Sequence, residues 1–114
     1  MGRGETSYSH IVGAVIANLR ENQDVNQRTL ATRIDMTRSG VSKIERGETS
    51  VSVERLHAIG EAIDSSAGHI LALADIARLY ALAHGLKVLL VRNSKSHLTR
   101  EYLKTLVDHC LEHR

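Results

Sequence analysis

The stretch DMTRSGVSKIERGE, residues 35–48, has the pattern of a short helix with a basic surface. Thr37 is a natural N-cap, because its hydroxyl can accept from the free backbone N–H groups of the first helical turn. At about 100° per residue, Val41 and Ile44 point inward with Glu45 beside them. The stretch therefore predicts a helix whose remaining surface is open to a partner. That surface carries Ser39, Ser42, Lys43 and Arg46, with Arg38 on the flank of the first turn.

The residue types on this surface are those that read bases in the major groove of DNA. Arginine and lysine donate to O6 and N7 of guanine, and serine can contact either type of base. Gly40 lies in the middle of the helix, where glycine costs about 1 kcal/mol of helix stability relative to alanine. Such a cost is tolerated where a partner must approach the backbone closely. A basic helix face that is merely solvated is the alternative interpretation.

A second short helix precedes this one. It starts near Gln27 and carries Leu30 and Ile34 on its inner side, and residues 35–36 leave room only for a tight connection. Two short helices joined by a tight turn, the second bearing the basic face, form the layout of a helix-turn-helix motif. This layout favours DNA binding over a solvated face.

The composition of the chain fits a small helical protein. A length of 114 residues allows one domain with an appendage. The chain has no proline and only 3% aromatic residues, so its core must be built from aliphatic side chains, which suits packed helices. Cys110 is the single cysteine and excludes an internal disulfide framework, which fits the cytoplasm. No apolar run is long enough to span a membrane, and we expect a cytoplasmic protein.

Periodicity and caps predict the other elements. Residues 1–8 are rich in glycine and polar side chains and are expected to be frayed. The run GLKVLLVRN, residues 85–93, is short and rich in valine, which favours a strand at residues 86–91 over a helix. The remaining predicted helices run from a cap at Ser9 to about residue 22, over 53–63, over 67–83, and from a cap at Thr99 to about residue 112.

Residues 12–48, VGAVIANLRENQDVNQRTLATRIDMTRSGVSKIERGE, are followed by SVERLHAIGEAID at residues 52–64. Together they resemble the Cro/C1-type (XRE family) helix-turn-helix domain of phage repressors and bacterial regulators, over about residues 10–75. The resemblance implies a five-helix, lambda-repressor-like domain in an all-α fold, and binding to the major groove of double-stranded DNA. The motifs that carry it are Leu19-Arg20, Gln27, Leu30-Ala31, Thr37 through Ser42, and Ile44 through Gly47.

The resemblance also implies roles for individual residues. Gln27 would hold a phosphate and support the recognition helix, and Asn26 would assist with the phosphate. Gly40 replaces the more usual polar residue, which removes one base contact. Phosphate contacts set the register on DNA, and base contacts set the sequence. The implied base readers are Arg38, Ser39 and Lys43; the residues implied to contact phosphate or cap helices are Thr37, Ser42 and Arg46.

Arg20 and Glu45 match a partly buried ion pair that links the first and third helices of this family. Two unrelated surface charges are the alternative interpretation. The position of Glu45 beside the inward residues Val41 and Ile44 favours the pair. Its predicted role is structural, since it would fix the recognition helix against the first helix.

Residues 76–114 lie outside the resemblance. The stretch HILALADIARLYALAHG, residues 69–85, is apolar on nearly every face and must be buried on more than one side. We therefore predict that residues 76–114 form a C-terminal dimerisation extension, with the strand at 86–91 pairing across a two-fold axis. A tail that folds back on its own domain is the alternative. The last helix adds an apolar stripe of Leu103, Leu106, Val107, Cys110 and Leu111.

The sequence contains little evidence for a catalytic site or a metal-binding site. His109 and His113 flank Cys110, but no second cluster at zinc-finger spacing completes a ligand set, so no metal and no cofactor are predicted. No motif pairs a nucleophile with a base, and no glycine-rich loop could hold a phosphate, so an enzyme is not predicted.

Two classes of function remain consistent with the sequence. The first is a transcriptional regulator, predicted to be a repressor that binds a palindromic operator as a homodimer. The second is a protein-binding module, such as an antitoxin, whose tail at residues 76–114 masks a partner protein.

Overall fold

Six helices and two short strands make up the described part of the chain, residues 4–90 and 98–112, in this computed structural model. The mainly helical prediction is confirmed, and a two-stranded sheet is added to it. The elements are β1 (Glu5–Ser7), α1 (Tyr8–Asn22), α2 (Gln27–Arg33), α3 (Arg38–Glu45), α4 (Val53–Ala62), α5 (Ala67–Ala83), β2 (Lys87–Leu89) and α6 (Arg100–Glu112).

Side-chain caps fix where the helices begin. The predicted caps at Thr37 and Thr99 are confirmed, since their hydroxyls accept from the amides of Gly40 at 2.9 Å and Tyr102 at 3.0 Å. The predicted cap at Ser9 is wrong. Ser7 caps α1, because it ends a strand with the extended backbone that a cap requires, whereas Ser9 already lies in the helix.

Residues with a left-handed backbone conformation fix where the helices end. Asp35 has a φ of +56°, and the amide of Met36 behind it donates to the carbonyl of Ala31 at 2.8 Å. This bond closes the end of α2, and the chain turns directly into the cap of α3. Aspartate tolerates this conformation better than most residues other than glycine, which explains the tight turn of the motif. The same arrangement ends α1 at Asp24, α3 at Gly47, α4 at Asp64 and α5 at Gly85.

Helix α1 forms the centre of the core. Ile11, Val15 and Ile16 are fully buried, and α1 packs against α3, α5 and α6. Packed helices with aliphatic side chains agree with the composition. Because α3 lies on this central helix, the position of its outer face is set by the whole core.

The two strands pair in parallel, with Thr6 opposite Val88. The prediction of a frayed start is therefore wrong for Glu5–Ser7, and Thr6 is fully buried. The predicted strand is confirmed at Lys87–Leu89, but its partner is β1 of the same chain rather than a second copy. Parallel strands need a long crossover, here all of α1–α5, and sequence patterns do not reveal such a distant pairing.

Helix α6 folds back on its own chain. Its stripe of Leu103, Leu106, Val107 and Cys110 is at most 7% exposed and joins the core that contains α1 and α5. Polar contacts hold the same interface, since Asn18 donates to Asp108 at 2.6 Å. This stripe was predicted to provide surface for a second chain, and the structure corrects that point. The boundary predicted between residues 75 and 76 falls inside the continuous helix α5. Dimerisation itself stays a prediction.

Gly13 permits direct backbone contact between α1 and α3. A Cβ atom at this position would lie 2.4 Å from the carbonyl oxygen of Ile44 and 2.6 Å from that of Glu45. Gly13→Ala is expected to lower the free energy of unfolding by about 1–3 kcal/mol, because the two helices must separate. Chemical denaturation measures the loss. Gly68→Ala is the control, since a Cβ there meets no atom within 4 Å; equal stability of the two variants would contradict the close crossing.

Candidate nucleic-acid interface

Helix α3 presents one buried and one exposed side. Val41, Ile44 and Glu45 are between 2% and 4% exposed, which confirms the predicted inward face. Arg38 and Lys43 are exposed to solvent. Ser39 is exposed as well, so the structure places all three predicted base readers on accessible surface.

The structure corrects the predicted exposure of Ser42. It is 8% exposed, and its hydroxyl accepts from Nη1 of Arg46 at 2.6 Å. Ser42 lies only about 60° from Glu45 around the helix, and Arg46, one turn later, covers it. The hydroxyl of Ser42 therefore supports Arg46, and its predicted phosphate contact stays a prediction.

A buried polar network holds α3 in place. Arg20 donates to Glu45 through Nε at 2.6 Å and through Nη2 at 3.0 Å. The Glu45 side chain is fully buried and that of Arg20 is 8% exposed. The hydrogen bond to Glu45 is the main cause that raises the pKa of Arg20. Gln27 donates to the same carboxylate at 2.9 Å, and Arg20 also donates to the carbonyl of Val25 at 2.8 Å. The network thus joins α1, α2 and α3.

Asn26 and Thr37 each cap a helix and remain exposed. The side-chain oxygen of Asn26 accepts from the amide of Thr29 at 2.8 Å, which caps α2. Thr37 caps α3 in the same way. The amide nitrogen of Asn26 can still donate to a phosphate, because the cap uses only the oxygen.

Gly40 is not required by packing inside the chain. A Cβ atom there would lie 2.8 Å from Cε of Met36 and 3.3 Å from Oγ1 of Thr37. The Met36 methyl group is the end of a flexible side chain and can move aside. The helical cost of this glycine therefore has no cause within the described structure, which favours close approach by a partner.

Arg46 is partly engaged by an exposed carboxylate. Its Nε lies 2.5 Å from Oε2 of Glu48, and the two side chains are 39% and 42% exposed. The hydrogen bond from Arg46 lowers the pKa of Glu48. Because both groups are solvated, this pair contributes little to stability, and a phosphate can take the place of Glu48.

Other arginines near the motif divide into structural and surface residues. Arg33 donates to the carbonyl of Ala62 at 2.7 Å and Arg55 to that of Ile34 at 2.8 Å, so both stabilise helix ends. Arg28 is exposed on α2 beside Gln27. The sequence does not predict it as a site residue, because the helical pattern of α3 says nothing of side chains on α2. An open cleft before α2 and α3, here named the arginine cleft, is lined by Arg20, Asn26, Gln27, Arg28, Arg38, Ser42, Arg46 and Arg100.

Metal-ligating side chains do not gather within residues 4–90 and 98–112, where no group of three or more histidine, cysteine, aspartate or glutamate residues could hold an ion. Cys110 is buried, His109 is exposed, and His113 lies outside the described residues. Over the same part of the chain, every helix is too short or too polar to cross a membrane.

Comparison with known proteins agrees with this geometry. Residues 16–70 match the model of a family described as Helix-turn-helix. None of the curated proteins matches the chain significantly. A solved structure of the clp gene regulator ClgR from Corynebacterium glutamicum is similar, with 28% identity, a TM-score of 0.58, and coverage of 60% of this chain and 88% of that one.

A second structure of the same regulator gives 26% identity and a TM-score of 0.58, and covers 68% of this chain and 94% of that one. The match to the family, the α2–turn–α3 geometry and the outward basic face agree with one another. Residues 16–70 of this chain are therefore a helix-turn-helix domain of the Cro/C1 type.

Proposed function

We propose that the protein is a transcription regulator that binds a palindromic operator as a homodimer and acts as a repressor. The observation that carries the proposal is the outer face of α3, where Arg38, Ser39 and Lys43 are exposed while a buried network fixes the inner face. The similarity to a gene regulator from Corynebacterium glutamicum supports the same class of function.

The geometry supports separate roles on DNA, with some residues contacting bases and others contacting backbone phosphate. Arg38 and Lys43 can donate to guanine from α3 in the major groove, and Ser39 can contact either type of base. Asn26 lies at the start of α2 and Arg46 at the end of α3, where both can donate to backbone phosphate. These phosphate contacts would set the register in which α3 reads the sequence.

Exposed leucines on α5 support the homodimer. Leu71, Leu79 and Leu82 are 38%, 61% and 41% exposed, and they lie within about 80° of one another around the helix. We name these three residues the α5 leucine face. A second copy is its proposed occupant, because a two-fold dimer presents two α3 helices at the spacing of two operator half-sites. The palindromic operator follows from that symmetry.

Repression is the simplest action for such a dimer. Occupying promoter DNA blocks other proteins by exclusion and requires no surface beyond the interface. The protein-binding alternative loses support, because the apolar stripe on α6 that was available for a partner is buried in the chain itself.

Alanine substitutions on α3 test the reading face. Arg38→Ala or Lys43→Ala is expected to cost about 1–3 kcal/mol on the preferred duplex and to relax its sequence preference. Arg46→Ala should weaken all duplexes about equally, because a phosphate contact carries no sequence information. Selection from random duplexes identifies the preferred site, and anisotropy titration measures each affinity.

Lys87→Ala is the matched control, since Lys87 lies on β2 and its side chain is 73% exposed. Should Lys43→Ala and Arg38→Ala both bind the selected duplex as tightly as this control, α3 would not be the reading helix.

A further inference from the structure

We infer that Arg100, in the C-terminal extension, contacts a backbone phosphate of the duplex that α3 reads. The DNA interface would then extend beyond residues 16–70. This inference rests on the proposed function, because it assigns one more contact to the same DNA site.

The position of Arg100 supports this role. It is the first residue of α6, and the fold brings it to the arginine cleft beside Gln27 and Arg38. The cleft is open and has a volume of about 610 Å³. The Arg100 side chain is 50% exposed, and among the described residues the carboxylate it pairs with is that of Glu45, with Oε1 at 3.9 Å. At that distance the guanidinium still has its donors available for an incoming anion.

The carboxylates near the cleft are already engaged. Glu45 accepts two hydrogen bonds from Arg20 and one from Gln27. Glu48 is bound by Arg46. Arg100 therefore approaches a carboxylate whose charge another arginine already neutralises.

Positive charge is in excess in the cleft. Its lining contains five arginines, and Glu21, Glu45 and Glu48 are the three carboxylates paired with them among residues 4–90 and 98–112. Concentrated like charges repel one another, and an anion between them relieves that repulsion. A guanidinium forms paired hydrogen bonds with phosphate oxygens, so a phosphodiester fits the cleft chemically.

Duplex DNA is the proposed source of that phosphate rather than a free anion. The cleft is continuous with Asn26, Arg28 and Arg38, which lie at the start of α2 and α3 on the proposed DNA side. A duplex whose major groove holds α3 carries its backbone along this side. Arg100 would thus bind the C-terminal extension to the DNA backbone.

The test is the salt dependence of DNA binding by the full-length protein. Each phosphate contact contributes about 0.9 to the slope of log affinity against log salt, so Arg100→Ala should reduce that slope by about one. The corresponding loss is about eightfold at 0.1 M salt and about twofold at 0.4 M. The loss should be equal for the preferred and a scrambled duplex. Arg100→Lys should retain most of the slope, because it keeps the charge.

Lys87→Ala removes the same charge from a residue that does not line the cleft, and it should leave the slope unchanged. If Arg100→Ala has the same slope as Lys87→Ala while the wild type binds the operator, this inference is wrong and the proposed function stands. If the wild type binds no duplex, the proposed function fails. If Arg100→Ala melts at a lower temperature with an unchanged slope, Arg100 only supports Glu45, which overturns the inference.

A last experiment uses inorganic phosphate to test whether the cleft binds a free anion instead of DNA. Isothermal titration of the DNA-free protein with phosphate would detect a site for a small anion. Phosphate binding that Arg100→Ala abolishes, together with an unchanged DNA slope, would assign the cleft to a free anion and overturn the inference.

Discussion

Glu45→Ala is expected to lower the free energy of unfolding by about 3–5 kcal/mol in the absence of DNA. Its carboxylate is fully buried and binds both Arg20 and Gln27. The substitution would leave the Arg20 guanidinium buried without its main counterion, and breaking one partner of a buried pair typically costs this much. For a domain of this size the loss lowers the melting temperature by more than about 10 °C. Calorimetry or thermal circular dichroism measures it.

Two further variants test whether the loss of stability comes from an unpaired buried charge rather than from the removal of any carboxylate. Glu48→Ala removes an exposed carboxylate that pairs with Arg46, and it should change the melting temperature little. The double variant Arg20→Met with Glu45→Leu removes both buried charges and should regain much of the stability that Glu45→Ala loses. If Glu45→Ala had the same melting temperature as Glu48→Ala, the buried network would be contradicted.

The helix-turn-helix segment was predictable because its signals are local. The cap at Thr37, the inward positions of Val41 and Ile44, and the bounds of α5 follow from residues within one or two turns of one another. Caps and helical periodicity are properties of such short stretches. The same locality explains the wrong cap at Ser9, since the competing cap at Ser7 depends on the distant pairing of β1 with β2.

The features of the fold and of the site that the sequence does not predict depend on contacts between segments far apart in the chain. The apolar stripe on α6 indicates burial but not whether its own chain or a second copy covers it. Arg100 joins the arginine cleft only because α6 packs on α1, so no pattern near residue 100 could assign it. The burial of Ser42 depends on the side-chain direction of Arg46, which a helical wheel does not give.

The largest loss of operator affinity is expected from the double variant Leu79→Asp with Leu82→Asp. The proposed dimer brings the α5 leucine faces of two copies together, and two carboxylates on each face would be desolvated and would repel across the axis. Holding two binding modules together raises avidity by about 10²–10⁴, so a monomer should lose about that much affinity for the palindromic operator. Weak, salt-sensitive binding to any duplex should remain.

Point substitutions suit this question better than truncation. Deletion after residue 75 would cut α5 and remove the α6 side chains that fill the core, such as Val107. Leu79 and Leu82 are 61% and 41% exposed in the single chain, so their replacement leaves the core intact. Val53→Asp is the matched control, because Val53 is 78% exposed and lies on a different helix, at the start of α4.

Sedimentation equilibrium and a gel-shift titration on the palindromic operator and on one half-site decide the matter. The wild type and Val53→Asp should sediment as dimers, and the double variant as a folded monomer that no longer distinguishes the palindrome from the half-site. That last comparison isolates the dimer, because a damaged α3 would weaken both duplexes together. A double variant that stays dimeric and binds the palindrome as tightly as the control would place the interface away from the α5 leucine face.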